Sequence, residues 1–269
     1  MRVPFRKMHG LGNDFVVIDA RTTPLAMTGR RAAALANRRT GVGCDQLIVL
    51  EPSEAADVRM RIFNPDGSEV EACGNASRAV GLLLGGTQAI ETLGGVIESV
   101  VGAEGISVDM GAPRFDWDAI PLAYAMDTLA MPVGWEDLET PSAVNVGNPH
   151  VIFFVPDTNA VDLARLGPLI ETDPLFPERI NVNVASVIGP DHLRLRVWER
   201  GAGLTQACGT GACATAVAAI RRKLTGRKVT VELPGGPLVI EWPEGGNIRM
   251  TGPAATSFEG AFEDADYPA

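Results

Sequence analysis

The chain has 269 residues, of which 46% are hydrophobic and 21% are charged. This composition is typical of a folded protein with one or two domains and excludes a disordered chain. The net charge is −10 without any tract rich in lysine or arginine, so nucleic acids and anionic membranes are excluded as favourable partners.

The predicted elements of the first half alternate between strands and helices. Thr28–Arg38 is predicted to be a helix because Thr28 is a favourable cap for its first turn. Val58–Phe63 alternates apolar residues with arginine, which predicts a half-buried strand. The small and apolar residues after Cys73 predict a buried helix that ends at Gly85.

The second half repeats this order of a strand and a buried helix after a segment without clear periodicity. Residues 115–140 are rich in Pro, Asp and Trp without clear periodicity, which is typical of a linker or an excursion. Leu193–Trp198 predicts a second half-buried strand, and the residues after Cys208 predict a second buried helix. Val229–Leu233 and Leu238–Trp242 predict a hairpin.

An internal repeat relates the two halves. VRMRIFNPDGSEVEACGNASRA, from Val58, resembles LRLRVWERGAGLTQACGTGACA, from Leu193, with a spacing of 135 residues. The same spacing aligns three other pairs of polar residues, namely Asn13 with Asn148, Gln46 with Asn181, and Asn64 with Glu199. Separated segments that share one spacing indicate a duplicated domain. We predict a first half of residues 1–116, completed by residues 259–269, and a second half of residues 117–258.

The two repeated cysteines are the strongest candidates for chemistry. Cys73 and Cys208 are each followed by glycine and then by a predicted buried helix. The first turn of a helix presents free N–H groups, which lower the pKa of a thiol and can bind a carboxylate. Two such cysteines related by duplication predict a symmetric site between the halves, suited to a reaction that needs an acid and a base on opposite faces of one carbon.

The remaining reactive side chains have simpler interpretations. Cys44 and Cys213 have no cysteine partner at the 135-residue spacing and are predicted to lie in the core. No CxxC pair is present, so a structural zinc site is not expected, and the default compartment is a reducing cytoplasm. His9 and His192 are interpreted as structural or exposed, whereas His150, close to the repeated Asn148, is a candidate activator of a thiol.

Six motifs carry a resemblance to a known family. They are, in chain order, MHGLGNDFVVID, GVGCDQL, FNPDGSEVEACGN, GNPHVIF, ERINVNVA and ERGAGLTQACGTGACA. Together they resemble diaminopimelate epimerase, an amino-acid epimerase that works without pyridoxal phosphate, from about Lys7 to Gly252. The sequence departs from the family pattern at Ala76, where glycine is usual, and at Leu204, where glutamate is common.

The resemblance implies an α/β (α+β) fold of two similar domains, each a mixed β-sheet rolled around a central helix, with the active site in the cleft between them. It implies that Cys73 and Cys208 are the acid and the base, and that His150 and Glu199 help to deprotonate them. The implied substrate-binding residues are Asn13, Gln46, Asn64, Gly74, Asn75, Asn148, Asn181, Glu199, Arg200, Gly209 and Thr210.

The same resemblance implies the substrate and the setting of the reaction. The enzyme is expected to interconvert LL- and meso-diaminopimelate for lysine and peptidoglycan synthesis, as a cytoplasmic homodimer. No organic cofactor is expected, because no lysine lies in a recognisable pyridoxal phosphate motif, and no metal is expected, because the sequence offers no site for one.

Alternatives from the same fold and from other classes remain open. An enzyme similar to proline racemase shares the two-cysteine chemistry, but its substrate lacks a distal amino-acid group, so Glu199 and Arg200 discriminate against it. An isomerase of the phenazine type lacks the cysteine pair and is disfavoured. Two alternatives from other classes are a non-catalytic amino-acid-binding protein and a redox sensor that joins Cys73 to Cys208. A racemisation assay in D₂O distinguishes an enzyme from both.

Overall fold

The computed structural model describes residues 1–71 and 73–269. The backbone forms two compact units, one of Met1–Val108 with Gly252–Ala269, and one of Asp109–Thr251. The sequence-based limits of the two halves, 1–116 with 259–269 and 117–258, stay a prediction of domain boundaries.

The first unit holds two helices, α1 (Gly29–Ala36) and α2 (Gly74–Leu84). Its first eight strands are β1 (Arg2–Gly10), β2 (Asn13–Asp19), β3 (Gln46–Glu51), β4 (Val58–Phe63), β5 (Glu69–Val70), β6 (Thr87–Thr92), β7 (Gly95–Gly102) and β8 (Gly105–Asp109). The pairs β2–β3 and β4–β6 are parallel, whereas β1–β2, β3–β4, β4–β5, β6–β7 and β7–β8 are antiparallel.

The second unit holds α3 (Leu163–Glu171) and α4 (Gly209–Arg221). Its strands are β9 (Gly134–Trp135), β10 (Leu138–Glu139), β11 (Ser142–Asn145), β12 (Pro149–Phe154), β13 (Asn181–Gly189), β14 (His192–Glu199), β15 (Gly203–Thr205), β16 (Lys228–Leu233), β17 (Gly236–Glu241) and β18 (Arg249–Gly252). The pairs β12–β13 and β14–β16 are parallel, and the other pairs in this sheet are antiparallel. The chain then returns to the first unit as β19 (Ala255–Glu263), antiparallel to β1.

The predicted duplication is confirmed by the topology and register of the two sheets. Parallel and antiparallel pairs follow one another in the same order, and the pair Phe15–Gln46 in the first unit corresponds to His150–Asn181 in the second. Beyond the buried helices the register still matches, since Val58 pairs with Ile90 and Leu193 pairs with Val231. The spacing after the helices is therefore six residues longer than before them. Both units share one mixed α/β fold.

Each sheet surrounds one central helix. The helix α2 packs against β1, β2, β6, β7 and β19, and α4 packs against β11, β12, β13, β14, β16 and β17. Every residue of α4 from Gly211 to Ile220 is buried. Small residues such as Ala and Gly allow strands to approach a helix from several sides, which explains why α4 is poor in large side chains.

The inner strands are buried on both faces and therefore appear as continuous apolar runs. In β3, Leu47 and Val49 share a core cluster with Leu35 of α1. Ile48, which points to the opposite face, packs in a second cluster with Val80 of α2. Because successive side chains of a strand alternate between its faces, β3 packs against α1 with one face and against α2 with the other.

Several predicted elements are confirmed. The predicted strand Val58–Phe63 is β4, and Thr28 caps α1 by accepting a hydrogen bond from the Arg31 N–H at 3.3 Å. The predicted hairpin is formed by β16 and β17. Of the two interpretations of residues 115–140, a linker or an excursion, the structure favours the excursion, because Ile120 and Met131 are buried in the core of the second unit. In the described part of the chain, no helix has the length and apolarity needed to span a membrane.

Candidate active site

The two cysteines occupy equivalent positions at the starts of the central helices. Cys73 is the N-cap of α2 with φ −147° and ψ 111°, and Cys208 is the N-cap of α4 with φ −117° and ψ 105°. Both have the extended backbone that a residue before the first helical turn adopts. The prediction that each cysteine begins a buried helix is confirmed.

The Cys73 thiol lies beside two asparagine side chains. Its Sγ donates to Asn13 Oδ1 at 3.9 Å, and Asn75 Nδ2 donates to the same oxygen at 3.1 Å. Asn13 is the first residue of β2, and Asn75 is the second residue of α2. The structure thus brings together three residues that the sequence analysis selected separately.

The Cys208 thiol is more enclosed. Its sulfur accepts a hydrogen bond from the Gly211 N–H at 3.3 Å and lies 3.5 Å from Thr210 Oγ1. Burial and then the charge of Glu199 raise its pKa well above the usual thiol value, and these effects outweigh the opposing hydrogen bonds. The expectation that the helix start favours a thiolate is therefore wrong for Cys208, because burial outweighs the N–H of Gly211 and the group is held as a neutral thiol.

Glycine is required at position 211 because the site is tightly packed there. A Cβ atom on Gly211 would lie 2.8 Å from Asn183 Oδ1 and 3.2 Å from Cys208 Sγ. We expect Gly211→Ala to lower the free energy of unfolding by roughly 1–3 kcal/mol, the usual cost of overpacking, and to displace the thiol. Urea unfolding measures this change, with Gly226→Ala as the control, since a Cβ there meets only Pro190 O at 3.8 Å. Equal stability of the two variants would contradict the packing argument.

The strand β14 places Glu199 beside Cys208. Glu199 is the last residue of β14, and its Oε1 accepts a hydrogen bond from Thr205 Oγ1 at 2.5 Å. The carboxylate also accepts a hydrogen bond from the Cys208 thiol. In the first unit the equivalent position is Asn64, whose Oδ1 accepts from Gln46 Nε2 at 3.3 Å. The two halves therefore differ at this position, with an amide in the first and a carboxylate in the second.

His150 is fully buried between two amide side chains. Its Nε2 lies 2.9 Å from Asn148 Oδ1, and its Nδ1 lies 3.1 Å from Asn183 Nδ2. A carbonyl oxygen needs a donor and an amide N–H needs an acceptor, so the ring carries its proton on Nε2 and is neutral. Burial, together with the charge of Arg200, lowers the pKa of His150 to about 3.

The depressed pKa of His150 predicts a loss of stability in acid. The stabilisation is complete above the unfolded value of 6.5 and is lost as the pH falls toward about 3. Between pH 7 and pH 5 we expect a loss of about 2 kcal/mol from this residue. In His150→Phe, which copies the equivalent Phe15, this part of the pH dependence disappears. Urea unfolding of both proteins at the two pH values tests this prediction. An equal change in the free energy of unfolding between pH 7 and pH 5 in the two proteins would refute it.

The loop that carries Arg200 is anchored at several points. The Arg200 N–H donates to Asn181 Oδ1 at 2.9 Å, and its Nη1 donates to the Glu178 carbonyl at 3.0 Å. The buried Glu171 at the end of α3 accepts from the Gly201 N–H at 3.0 Å and from Trp198 Nε1 at 2.7 Å. The backbone of this loop is thus held firmly while the Arg200 side chain stays exposed.

Sequence reasoning missed residues that support the candidates. Asn183, which holds His150, was detectable, because Asn181 and Asn183 share one face of β13 in the run Asn-Val-Asn-Val. Thr205, Glu171 and Gly211 carried no comparable signal, since their contacts come from residues elsewhere in the fold. The predicted binding residues Gly74 and Gly209 are the buried first residues of α2 and α4.

Comparisons with solved structures give the fold. A phenazine biosynthesis protein of the PhzF family from Enterococcus faecalis superposes with a TM-score of 0.73 at 15% identity, over 98% of this chain and 100% of that chain. A hydroxyproline epimerase from Agrobacterium vitis superposes with a TM-score of 0.69 at 14% identity, over 99% of this chain and 94% of that chain. At these identities the likeness concerns the fold alone.

Sequence comparisons are far closer. The chain is 68% identical over 268 residues to the diaminopimelate epimerase of Erythrobacter litoralis (strain HTCC2594), covering 99% of this chain and 100% of that protein. It is 69% identical over 259 residues to the diaminopimelate epimerase of Rhizorhabdus wittichii, covering 96% of this chain and 94% of that protein. The sequence profile of the family described as diaminopimelate epimerase matches residues 5–115 and 142–257. Because these matches extend over both units, the chain belongs to the diaminopimelate epimerase family.

Proposed function

We propose that this protein interconverts LL- and meso-diaminopimelate with two cysteines as acid and base. The observation that carries the proposal is that Cys73 and Cys208, equivalent under the duplication, both cap a central helix with glycine at the next position. Close relatives that bear the name of this activity support the choice of substrate.

In the proposed reaction, one thiolate removes the proton from the α-carbon and forms a carbanion. The other thiol donates its proton to the opposite face, so the configuration is inverted and the proton count is unchanged. Cys208 is held as a neutral thiol, so it acts as the acid in the direction in which Cys73 is the thiolate. To act as the base it transfers its proton to Glu199, whose carboxylate accepts its hydrogen bond.

The α-proton of an amino acid is far less acidic than a thiol, so the carbanion must be stabilised by its surroundings. We assign this role to the N–H groups at the starts of α2 and α4, which would bind the α-carboxylate together with Asn75 and Thr210. Gly74 and Gly209 suit this position because the absence of a Cβ lets a ligand approach their amides.

The distal amino-acid group is assigned to polar residues that differ between the halves. Arg200 suits the carboxylate, and Glu199 suits the ammonium group. The other proposed substrate contacts are Asn13, Gln46, Asn64, Asn148 and Asn181. A substrate with two chemically different ends would account for the divergence of Asn64 and Glu199 from a common ancestor.

His150 takes a positioning role in this proposal, although the resemblance had implied direct help in deprotonation. Its Nδ1 lone pair is occupied by Asn183, and its pKa of about 3 makes it a weak base. Through its Nε2 proton it fixes the side chain of Asn148. We therefore assign deprotonation of Cys208 to Glu199.

The wider setting follows the same proposal. The product would serve lysine and peptidoglycan synthesis, and the enzyme would act in the cytoplasm as a homodimer without a metal or an organic cofactor. Activity that survives dialysis against EDTA and treatment with hydroxylamine would support cofactor independence, and loss of activity under either treatment would contradict it.

The decisive experiment incubates purified protein with LL-diaminopimelate in D₂O and follows deuterium at the α-carbon and formation of the meso isomer. We expect both, in equal amounts at early times. Exchange into trans-4-hydroxyproline instead would favour an enzyme similar to proline racemase. If deuterium enters neither compound, the protein is not a racemase or an epimerase of these substrates, and a binding protein or a redox sensor becomes the favoured interpretation.

A further inference from the structure

A chain of hydrogen bonds in the first unit ends at two charged residues outside the proposed catalytic set. Arg78 Nη2 donates to Asn75 Oδ1 at 2.8 Å, and Asn75 Nδ2 donates to Asn13 Oδ1 at 3.1 Å. Asn13 Nδ2 then donates to Asp45 Oδ2 at 3.1 Å. We call these four residues the amide relay. All donors in the amide relay point the same way, from the cation to the anion.

The charged ends determine the orientation of both amides. A guanidinium group only donates hydrogen bonds, so Asn75 must turn its carbonyl oxygen toward Arg78. An ionised carboxylate only accepts, so Asn13 must turn its NH₂ group toward Asp45. Reversing either amide would place two donors or two acceptors in contact, which is costly where water is excluded.

Both ends are themselves held in place. Arg78 is fully buried, and its Nε also donates to the Pro253 carbonyl at 3.4 Å. Asp45 Oδ1 accepts from Arg38 Nη2 at 2.6 Å. Arg38 and Lys7 also pair with Asp14, at 2.5 Å each. These are the charged groups that pack around the Asp45 end of the amide relay, and they compensate one another.

The orientation of the Asn13 amide affects the Cys73 thiol. With its NH₂ group held by Asp45, Asn13 presents its carbonyl oxygen to Cys73 Sγ, at 3.9 Å. A carbonyl oxygen accepts a hydrogen bond from a neutral thiol and repels a thiolate. The amide relay therefore favours the protonated form of Cys73, whereas a reversed amide would offer an N–H to the sulfur and favour the thiolate.

The second half lacks the ends of the amide relay. At the 135-residue spacing Arg78 corresponds to Cys213 and Asp45 to Ile180, both buried and apolar. There Asn148 is oriented by His150 instead, and the thiol contacts the Glu199 carboxylate. Since the ancestral site was duplicated, this difference indicates that each half has its own means of controlling its thiol.

We propose that Arg78 and Asp45 are positioning residues that hold the Asn75 and Asn13 amides in the orientation that keeps a proton on Cys73. This inference rests on the proposed function, because it matters to catalysis only if Cys73 is one of the two acid–base groups. Neither residue touches the substrate in this proposal.

The first test measures the thiol directly and needs no turnover. The rates at which iodoacetamide alkylates Cys73 and Cys208 are followed against pH by peptide mass spectrometry, in the full-length protein. In Asp45→Ala and Arg78→Met we expect the midpoint for Cys73 to move down by about one pH unit, the size of one hydrogen bond. The midpoint for Cys208 stays unchanged and serves as an internal reference.

Two conservative variants and one control make the test specific. Arg78→Lys keeps a donor and Asp45→Asn keeps an acceptor, so both should restore most of the wild-type profile. Arg31→Met removes another buried arginine of the same unit, one that pairs with Asp264 at 2.5 Å, and should leave the Cys73 midpoint unchanged. Asp45 is 45% exposed, so its alanine variant decides the question if Arg78→Met does not fold.

The second test uses epimerisation. We expect kcat in Asp45→Ala to fall by about tenfold, the effect of one charge-assisted hydrogen bond, with a smaller change in KM. An unchanged Cys73 profile in the alanine and methionine variants overturns the amide relay, as does an equal shift in Cys208 or in Arg31→Met. If the protein shows no epimerase activity but the Cys73 profile shifts, the proposed function fails while the orientation argument stands.

Discussion

Replacing Cys73 or Cys208 by alanine is expected to lower the rate of epimerisation by at least about 10²–10⁴-fold, the usual contribution of a positioned acid or base. In the proposed mechanism each thiol serves one face of the α-carbon, so neither can substitute for the other. The helices should survive, because an N-cap cysteine is not a strong capping residue. Circular dichroism and urea unfolding check the fold, and the D₂O assay measures the rate.

The isotope experiment makes this prediction sharper. A variant with one remaining thiol can remove and return a proton only on one face. Any residual deuterium uptake should therefore be restricted to one of the two stereoisomers and proceed without inversion. Cys213→Ala is a suitable control, since Cys213 is fully buried within α4 and lies outside the proposed site. Full turnover by either single variant would refute the two-base mechanism.

Replacing Arg200 by lysine is expected to impair use of diaminopimelate while leaving the fold intact. The Arg200 side chain is exposed, and its loop is held by backbone contacts to Asn181 and Glu171. A guanidinium can bind a carboxylate through two parallel hydrogen bonds, which an ammonium cannot reproduce. We expect kcat/KM to fall by about tenfold or more, since charged hydrogen bonds contribute about 1.5–3 kcal/mol each.

The wild-type enzyme should discriminate strongly by the same interaction. L-Lysine differs from diaminopimelate by the absence of the distal carboxylate. Sites built to pair a polar group reject analogues that lack it by about 10⁴–10⁵-fold. Deuterium uptake into L-lysine should accordingly be undetectable. Arg165→Lys, at an exposed arginine that pairs with Glu136 at 2.7 Å, provides the control for a general effect of the substitution. Comparable exchange into both amino acids would mean that the distal group is not recognised.

The duplication and the positions of the two cysteines could be predicted from the sequence alone. The repeat was detectable because the sheets keep the same register in both halves, which preserves one spacing from Asn13 to Cys73 and from Asn148 to Cys208. The helix starts were detectable because small apolar residues and glycine are local signals. The proposed catalytic and binding residues mostly lie next to those signals in the chain.

The excursion of residues 115–140 shows where local patterns were insufficient. Ile120, Leu122 and Met131 are buried with α3, although the segment around them has no sustained period of a helix or a strand. Periodicity reports regular structure only, so an irregular segment that contributes to a core resembles a linker in the sequence.

The protonation states were decided only by the tertiary structure. A helix start alone predicts an activated thiol, yet Cys208 is a neutral thiol because burial and the Glu199 carboxylate raise its pKa. His150 appeared to be a base, yet Asn148 and Asn183 occupy both of its nitrogens. The amide relay joins Arg78 to Asp45, 33 residues earlier in the chain. The type and spacing of residues determine which groups a helix or strand presents, but solvation and the direction of hydrogen bonds depend on neighbours that only the folded chain brings into contact.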